Sequence, residues 1–149
     1  MIPMMVLGID PGTTSIGYAL VESIARSGVL KHAGVLRIGS QTSLDRLHEL
    51  HQRLNTLIHT WNPHAIAVER LYFAKNTKTA LAVSESRGVI LLTAALAGLT
   101  VHEYTPLQVK KIITGDGRAD KRQIQKMIRL TVPESNSLAP QDDMFDAIA

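Results

Sequence analysis

The sequence predicts an α/β fold in which helices flank a five-stranded mixed sheet. Three strand-like runs separated by short turns occupy the first quarter of the chain, which implies an antiparallel meander. Two short apolar runs come later, each preceded by a helix-like segment, and strands connected through helices pair in parallel. The 149 residues contain no internal repeat or linker and suffice for a single domain, residues 1–149, with its own core.

The first three strands are predicted from β-branched and aliphatic runs bounded by turn residues: Met4–Ile9, Ile16–Ser23 and Val29–Ile38. The apolar spacing then changes to three and four residues between Leu44 and Trp61, which is typical of an amphipathic helix. Ser43 is the expected N-cap of this helix, and Asn62-Pro63 is expected to end it.

The rest of the chain alternates short strands with helices. His64–Val68 is apolar enough for a central strand that is covered on both faces, and Thr100–Tyr104 is the fifth strand. A long helix is predicted between them over Lys78–Ala97, with Gly98 as its C-cap. Three more helices are predicted: Pro106–Thr114, one opened by a capping box of Asp120 and Gln123, and Gln141–Ala149 after a polar loop at 131–140.

The charge distribution is compatible with a nucleic-acid partner. The formal net charge is +3, a mild basic excess that does not by itself identify the partner. Seven basic residues fall within twenty positions, where they form either a solvated helix surface or a phosphate-binding surface: Lys110, Lys111, Arg118, Lys121, Arg122, Lys126 and Arg129.

The absence of cysteine limits the chemistry that the chain can perform. Disulfides and thiolate metal sites are excluded, so any metal must bind through oxygen or imidazole ligands. No basic, apolar leader sequence is visible at the N-terminus, and together with the lack of cysteine this leads us to expect a cytoplasmic protein.

Two acidic residues follow two of the predicted buried strands. Asp10 ends the first strand just before a Pro-Gly turn, and Glu69 comes directly after His64–Val68. If these strands are adjacent and parallel, both carboxylates emerge at the same edge of the sheet. Each acid also has a plain structural interpretation, since Asp-Pro-Gly is a common turn. By contrast, Glu103 in the fifth strand has no evident partner in the sequence.

The C-terminal helix adds further acids. Asp143 and Asp146, or Asp142 and Asp146, share a helix face, and the spacing alone does not choose between the two pairs. Like charges on one face repel unless a cation lies between them, although acids also favour a helix N-terminus. Several hard oxygen ligands suit Mg²⁺ or Mn²⁺, which serve in phosphodiester hydrolysis.

The order of short motifs resembles the RuvC family of Holliday-junction resolvases, within the ribonuclease H-like (retroviral-integrase) superfold. No motif is specific alone, but the set is specific and spans nearly the whole chain. The motifs are Gly8-Ile9-Asp10-Pro11-Gly12, Gly17-Tyr18, Ala67-Val68-Glu69, Phe73-Ala74-Lys75-Asn76, Arg87-Gly88-Val89, Gln108-Val109-Lys110, Ala119-Asp120-Lys121 and Pro140-Gln141 with Asp143 and Asp146.

The resemblance implies a metal-dependent endodeoxyribonuclease that resolves four-way DNA junctions in recombination and repair. It selects Asp143 over Asp142. The hard oxygen ligands lead us to expect Mg²⁺, with Mn²⁺ as a substitute; two ions per site are expected, although the sequence does not distinguish one ion from two. The metal-binding catalytic acids would be Asp10, Glu69, Asp143 and Asp146. The DNA-contacting residues would be Tyr72, Lys75, Lys110, Lys121 and Arg122, with Tyr72 stacking on an unpaired base.

The resemblance also implies partners besides the four-way DNA junction. The family works as a homodimer and with a RuvA/RuvB branch-migration complex. The expected dimer surface is the helix Lys78–Ala97, where residues that would permit close packing are Ala80, Val83, Ser84, Gly88 and Leu91. A two-fold enzyme can present two sites to two strands of a nearly symmetric junction.

The chain departs from the family pattern at three places. Ala19 stands where glycine is frequent, and Met144-Phe145 replaces two small residues. The sequence stops at Ala149, soon after Asp146, so we expect the last helix to continue in a longer chain.

Three other functions compete with the nuclease interpretation. An actin-like ATPase or sugar kinase also begins with a Gly-Ile-Asp phosphate loop but needs a second such loop, which this sequence lacks. A non-catalytic DNA-binding module predicts the loss of one or more of the acids. A nuclease acting on RNA shares the fold and the acids.

Overall fold

The computed structural model describes residues 2–25, 27–71, 77–138 and 142–149, with the backbone alone at 77 and 142–144. Its elements follow the predicted order. They are β1 Met4–Asp10, β2 Ser15–Ile24, β3 Ser27–Arg37, α1 Ser43–Trp61, β4 Ala65–Glu69, α2 Thr77–Leu96, β5 Thr100–Tyr104, α3 Pro106–Thr114, α4 Lys121–Thr131, a 3₁₀ helix Pro133–Ser137 and α5 Asp142–Ile148.

The five strands form one sheet in the order β3-β2-β1-β4-β5. β1 pairs antiparallel with β2, and β2 pairs antiparallel with β3, as expected for strands joined by short turns. β1 pairs in parallel with β4, and β4 with β5. The helix α1 connects β3 to β4, and α2 connects β4 to β5. The predicted mixed sheet is therefore confirmed.

The two faces of the central strands differ in chemistry because side chains alternate along a strand. Leu7 and Ile9 of β1 and Ile66 and Val68 of β4 are buried in the main core, which α1 and α2 complete. The intervening positions are small or acidic: Gly8, Asp10, Ala67 and Glu69. One face of the sheet therefore packs in the main core, whereas the other face carries the small and acidic residues.

The last helix lies on this second face. α5 packs against β1, β2 and β3, and a Cβ atom built on Gly8 would collide with the backbone carbonyl of Ala147. Ala19, paired with Gly8 across β1 and β2, is completely buried, so the chain accepts alanine where the family often has glycine. The close approach of helix and strand requires glycine at position 8.

A second apolar cluster anchors α5 to α4. Phe145 is 1% exposed and packs with Ala119, Ile124 and Ile128. The guanidinium carbon of Arg129 lies 4.8 Å from the centre of the Phe145 ring, a cation–π geometry. Phe145, one of the residues that depart from the family pattern, therefore packs the last helix against α4.

The structure differs from the prediction in two details, the N-cap of α1 and the loop at 131–140. The N-cap of α1 is Thr42, whose side chain accepts from the Asp45 amide at 3.1 Å; Ser43, the predicted cap, is the first helical residue. The capping box of Asp120 and Gln123 is confirmed. The predicted loop at 131–140 contains the end of α4 and the 3₁₀ helix Pro133–Ser137.

We predict that Gly8→Ala destabilises the fold by about 1–3 kcal/mol, because the new methyl group must push α5 away from β1. Urea denaturation followed by circular dichroism measures this change. Gly39→Ala is the matched control, since a Cβ atom there meets nothing within 4 Å. Equal stability of the two variants would show that α5 does not lie on β1 as described.

Candidate active site

Asp10 and Glu69 are the last residues of two adjacent parallel strands. The ladder between β1 and β4 pairs Ile9 with Val68, so each acid directly follows that pair. Both acids lie on the face that α5 covers, and both are half-buried. The sequence predicts that these two acids lie at the same edge of the sheet, and the strand pairing places them there.

A pocket of about 300 Å³ lies between this face and the helices α3 and α5. Glu69 and Asp146 both line it, so residues that are far apart in sequence share one cavity. Much of the remaining lining is aliphatic, including Val6, Val109 and Ile112. The acidic groups therefore lie beside an apolar surface, which strengthens electrostatic interactions between them.

The charged groups around Glu69 shift its pKa in opposite directions. Burial raises the pKa of the Glu69 carboxyl, and the negative charge of Asp146 raises that pKa further. Lys110 of α3 and Lys121, the first residue of α4, both act to lower the pKa but do not reverse the shift. The structure thus brings four predicted residues into electrostatic contact: Glu69, Asp146, Lys110 and Lys121.

The remaining predicted site residues lie outside the described part of the structure or apart from this group. Tyr72 and Lys75 lie outside the described residues, as does the side chain of Asp143. Arg122 is exposed at the start of α4 and lines a separate shallow groove with Lys126 and Arg129. The structure therefore leaves the contributions of Tyr72, Lys75 and Asp143 as predictions.

The donor chemistry of this site suits a hard divalent cation. Two half-buried carboxylates, Glu69 and Asp146, raise each other's free energy when ionised, and a bound cation would relieve that repulsion. Within the described part of the chain, no three acidic or histidine side chains are close enough together to form a complete ligand set. The side chain of Asp143, the fourth predicted ligand, is outside that part.

The sequence did not predict the polar pocket residue Tyr104 or the partners of Glu103. Tyr104, 37% exposed, lines the pocket beside Glu69, its partner in the ladder between β4 and β5. Tyr104 ends the predicted fifth strand, and this position could have indicated that it lies at the same sheet edge as Glu69. Glu103, which showed no partner in the sequence, forms ion pairs with Arg70 and Arg87 on the opposite face.

Comparison with known proteins identifies close relatives. A family model described as crossover junction endodeoxyribonuclease RuvC matches residues 6–149. The RuvC protein of Halothermothrix orenii is 42% identical over 147 residues, covering 98% of this chain and 88% of the relative. The protein of the same name from Roseiflexus is 47% identical over 146 residues, covering 96% of this chain and 85% of that protein.

Solved structures give the same result. Thermus thermophilus RuvC in complex with a Holliday junction substrate matches with a TM-score of 0.88 at 31% identity, covering 97% of this chain and 88% of that one. The yeast mitochondrial Holliday junction resolvase Ydc2 shares the fold, with a TM-score of 0.69 at 16% identity over 95% of this chain and 75% of that one.

We predict that Glu69→Gln stabilises the metal-free protein at about pH 7.5 and raises its melting temperature by a few degrees. Because the folded pKa of Glu69 is raised, the stabilisation from the protonated carboxyl is complete below the ordinary pKa of 4.5 and is lost as the pH rises through the folded value. The gain from Gln should therefore disappear at acidic pH.

Thermal melts in the presence of a chelator, recorded across this pH range, measure the difference. Glu134→Gln, at the start of the 3₁₀ helix and outside the pocket lining, is the control variant. A variant Glu69→Gln that melts lower than the unmodified protein at neutral pH would contradict the electrostatic description.

Proposed function

The chain belongs to the RuvC family of crossover junction endodeoxyribonucleases, and on this premise we propose that it resolves four-way (Holliday) DNA junctions in recombination and repair. The reaction is metal-dependent hydrolysis of a phosphodiester bond in each of two strands. The substrate follows from the relatives, because Thermus thermophilus RuvC, which is 31% identical, was solved with a Holliday junction substrate.

The convergence of acids and lysines around Glu69 is the observation that supports this proposal most. Glu69 and Asp146 line the pocket, Asp10 ends the adjacent strand, and Lys110 and Lys121 lie near enough to influence Glu69. Acidic residues suit a cation and basic residues suit a phosphate. A site that carries both at the edge of a sheet fits a reaction on a phosphodiester.

The four predicted acids, Asp10, Glu69, Asp143 and Asp146, would hold Mg²⁺, two ions per site, with Mn²⁺ as a substitute. When bound, Mg²⁺ supplies positive charge that polarises the scissile phosphate and lowers the pKa of a water molecule. The ladder between β1 and β4 places Asp10 and Glu69 at adjacent strand ends, one residue beyond the pair of Ile9 and Val68. α5 brings Asp146 from the other side of the pocket.

Lys110 and Lys121 have a complementary role. Each would bind a phosphate oxygen next to the bond that breaks and stabilise the negative charge that develops there. The two lysines come from different helices, and both interact electrostatically with Glu69. A bound cation would repel them. Tyr72, Lys75 and Arg122 would extend the DNA-binding surface away from the acids, Tyr72 by stacking on a base.

The exposed face of α2 supports a homodimer. Leu81, Leu92 and Leu96 are 65%, 58% and 72% exposed, and Gly88 is exposed between them at helical spacing. Of the residues expected to permit close packing, Gly88 lies on this face, whereas Ala80, Val83, Ser84 and Leu91 are half-buried beside it. A second copy of the chain would cover these leucines and place two nuclease sites on one two-fold particle.

α2 is also long and apolar enough to cross a membrane, by length and composition alone. Its other face carries Ile90, Thr93 and Ala94, which are buried in the protein core. Because one side of α2 packs in the core of this domain, its exposed apolar side suits contact with a second protein. We also propose that the protein acts on DNA in the cytoplasm and, as the family resemblance implies, together with a RuvA/RuvB branch-migration complex.

We predict that Asp10→Asn and Glu69→Gln each lower the rate of junction cutting by more than about a hundredfold, because each removes a carboxylate from the proposed metal site. Binding of the junction should stay within about threefold of the unmodified protein, since phosphate contacts dominate the affinity. Single-turnover cleavage of a synthetic four-way junction with Mg²⁺ and gel-shift titration measure the two quantities.

Plain duplex DNA and a four-way RNA are the comparison substrates, and Glu134→Gln is the control variant. Cutting by the Asp10→Asn variant near the unmodified rate would refute the assignment of this acid. Equal cutting of junction and plain duplex would refute the proposed selectivity.

We predict that Leu92→Glu converts the protein from a dimer to a monomer, because the new charge would be buried in the apolar α2 contact. Analytical ultracentrifugation at micromolar concentration measures the mass. Leu44→Glu is a matched control, since Leu44 is a 76% exposed leucine on α1. A Leu92→Glu protein that remains dimeric would place the interface elsewhere.

A further inference from the structure

A network of charged side chains lies behind the proposed nuclease site, on the face of the sheet that is opposite to the pocket. The Glu103 carboxylate accepts from Arg70 Nε at 2.9 Å with one oxygen and from Arg87 Nη2 at 2.6 Å with the other. Arg70 follows β4, Glu103 belongs to β5, and Arg87 belongs to α2. One carboxylate thus joins three elements of the fold.

The network is connected to Glu69 through the backbone. Arg70 is the next residue after Glu69, and its amide donates to the Tyr104 carbonyl at 2.7 Å, so the ladder between β4 and β5 extends one residue beyond Glu69. Side chains alternate along a strand, so Arg70 is held on one face while Glu69 projects from the other. Fixing Arg70 limits the rotation of the peptide unit between the two residues.

We propose that Glu103 is a positioning residue of the nuclease site, which holds the Glu69 carboxylate in place through Arg70 and joins that strand end to α2 through Arg87. This inference rests on the proposed function and deepens it. Glu103 does not line the acidic pocket, so its effect on the reaction is indirect. Through Arg87, Glu103 and Arg70, this network also connects α2, the proposed dimer helix, to Glu69 in each subunit.

The strength of the network supports this role. The hydrogen bond from Arg70 keeps the pKa of the Glu103 carboxyl below its ordinary value, against the effect of burial, and Arg87 contributes in the same direction. Glu103 therefore remains ionised at neutral pH. The side chains of Glu103 and Arg87 are only 27% and 20% exposed, which makes their ion pair less screened by solvent than the pair with Arg70, 58% exposed.

The test compares Glu103→Gln with a matched variant, Glu22→Gln. Glu22 forms an ion pair of 2.6 Å with Lys31 at the far side of the sheet, and its side chain is 21% exposed. Both substitutions remove one charge from a partly buried ion pair. We expect Glu103→Gln to lower the single-turnover rate of junction cutting by about ten- to a hundredfold, because a small displacement of a reacting group reduces the rate strongly.

Two further readouts separate positioning from loss of stability. The affinity for the junction in the absence of metal should change by less than about twofold, so that the loss appears in the rate of cutting and not in binding. Glu103→Gln should remain folded at the assay temperature, although it loses two ion pairs where Glu22→Gln loses one. A second variant, Arg70→Lys, keeps the positive charge but not the planar guanidinium, and it should lower the rate in the same way.

The outcomes distinguish this inference from the proposed function. If neither the unmodified protein nor Glu22→Gln cuts the junction, the proposed function is wrong. If both cut it and Glu103→Gln and Arg70→Lys cut equally fast, the positioning role is wrong. A reduced rate that is accompanied by an equal loss of junction affinity would also overturn it, since that result assigns Arg70 and Glu103 to DNA binding.

Discussion

The parallel ladder between β1 and β4 is the constraint on which the rest of the site depends. It places the ends of two strands side by side, and the acids follow the same paired residues, Ile9 and Val68. The ladder itself is held by side chains on its other face, which are buried under α1 and α2. Packing on one face of the sheet therefore determines where carboxylates lie on the other face.

The site is electrostatically unfavourable as long as no cation is bound. Glu69 is half-buried, its pKa is raised by burial and by Asp146, and two lysines offset only part of this effect. A hydrophobic residue at position 69 would suit the fold better. Functional sites often keep such destabilising groups because the reaction needs them, and the apolar core beneath the strands supplies the compensating stability.

Local pattern and residue type were sufficient to predict the strands, the helix order and the shared edge of Asp10 and Glu69. Details that depend on long-range contacts were not predictable. Glu103 and its partners Arg70 and Arg87 are 33 and 16 residues apart in sequence, and no periodicity relates them. The N-cap of α1 was misassigned by one residue because Thr42 and Ser43 both have side chains that cap helices.

The close approach of α5 to Gly8 has a consequence for synthesis of the protein on the ribosome. β1 is synthesised before α5, and the pocket contains residues of both. A nascent chain that has not yet reached α5 already contains the sheet, Lys110 and Lys121, but it lacks Asp146. Translation therefore completes the segment with Lys110 and Lys121 before Asp146, the last of the predicted acids, is added.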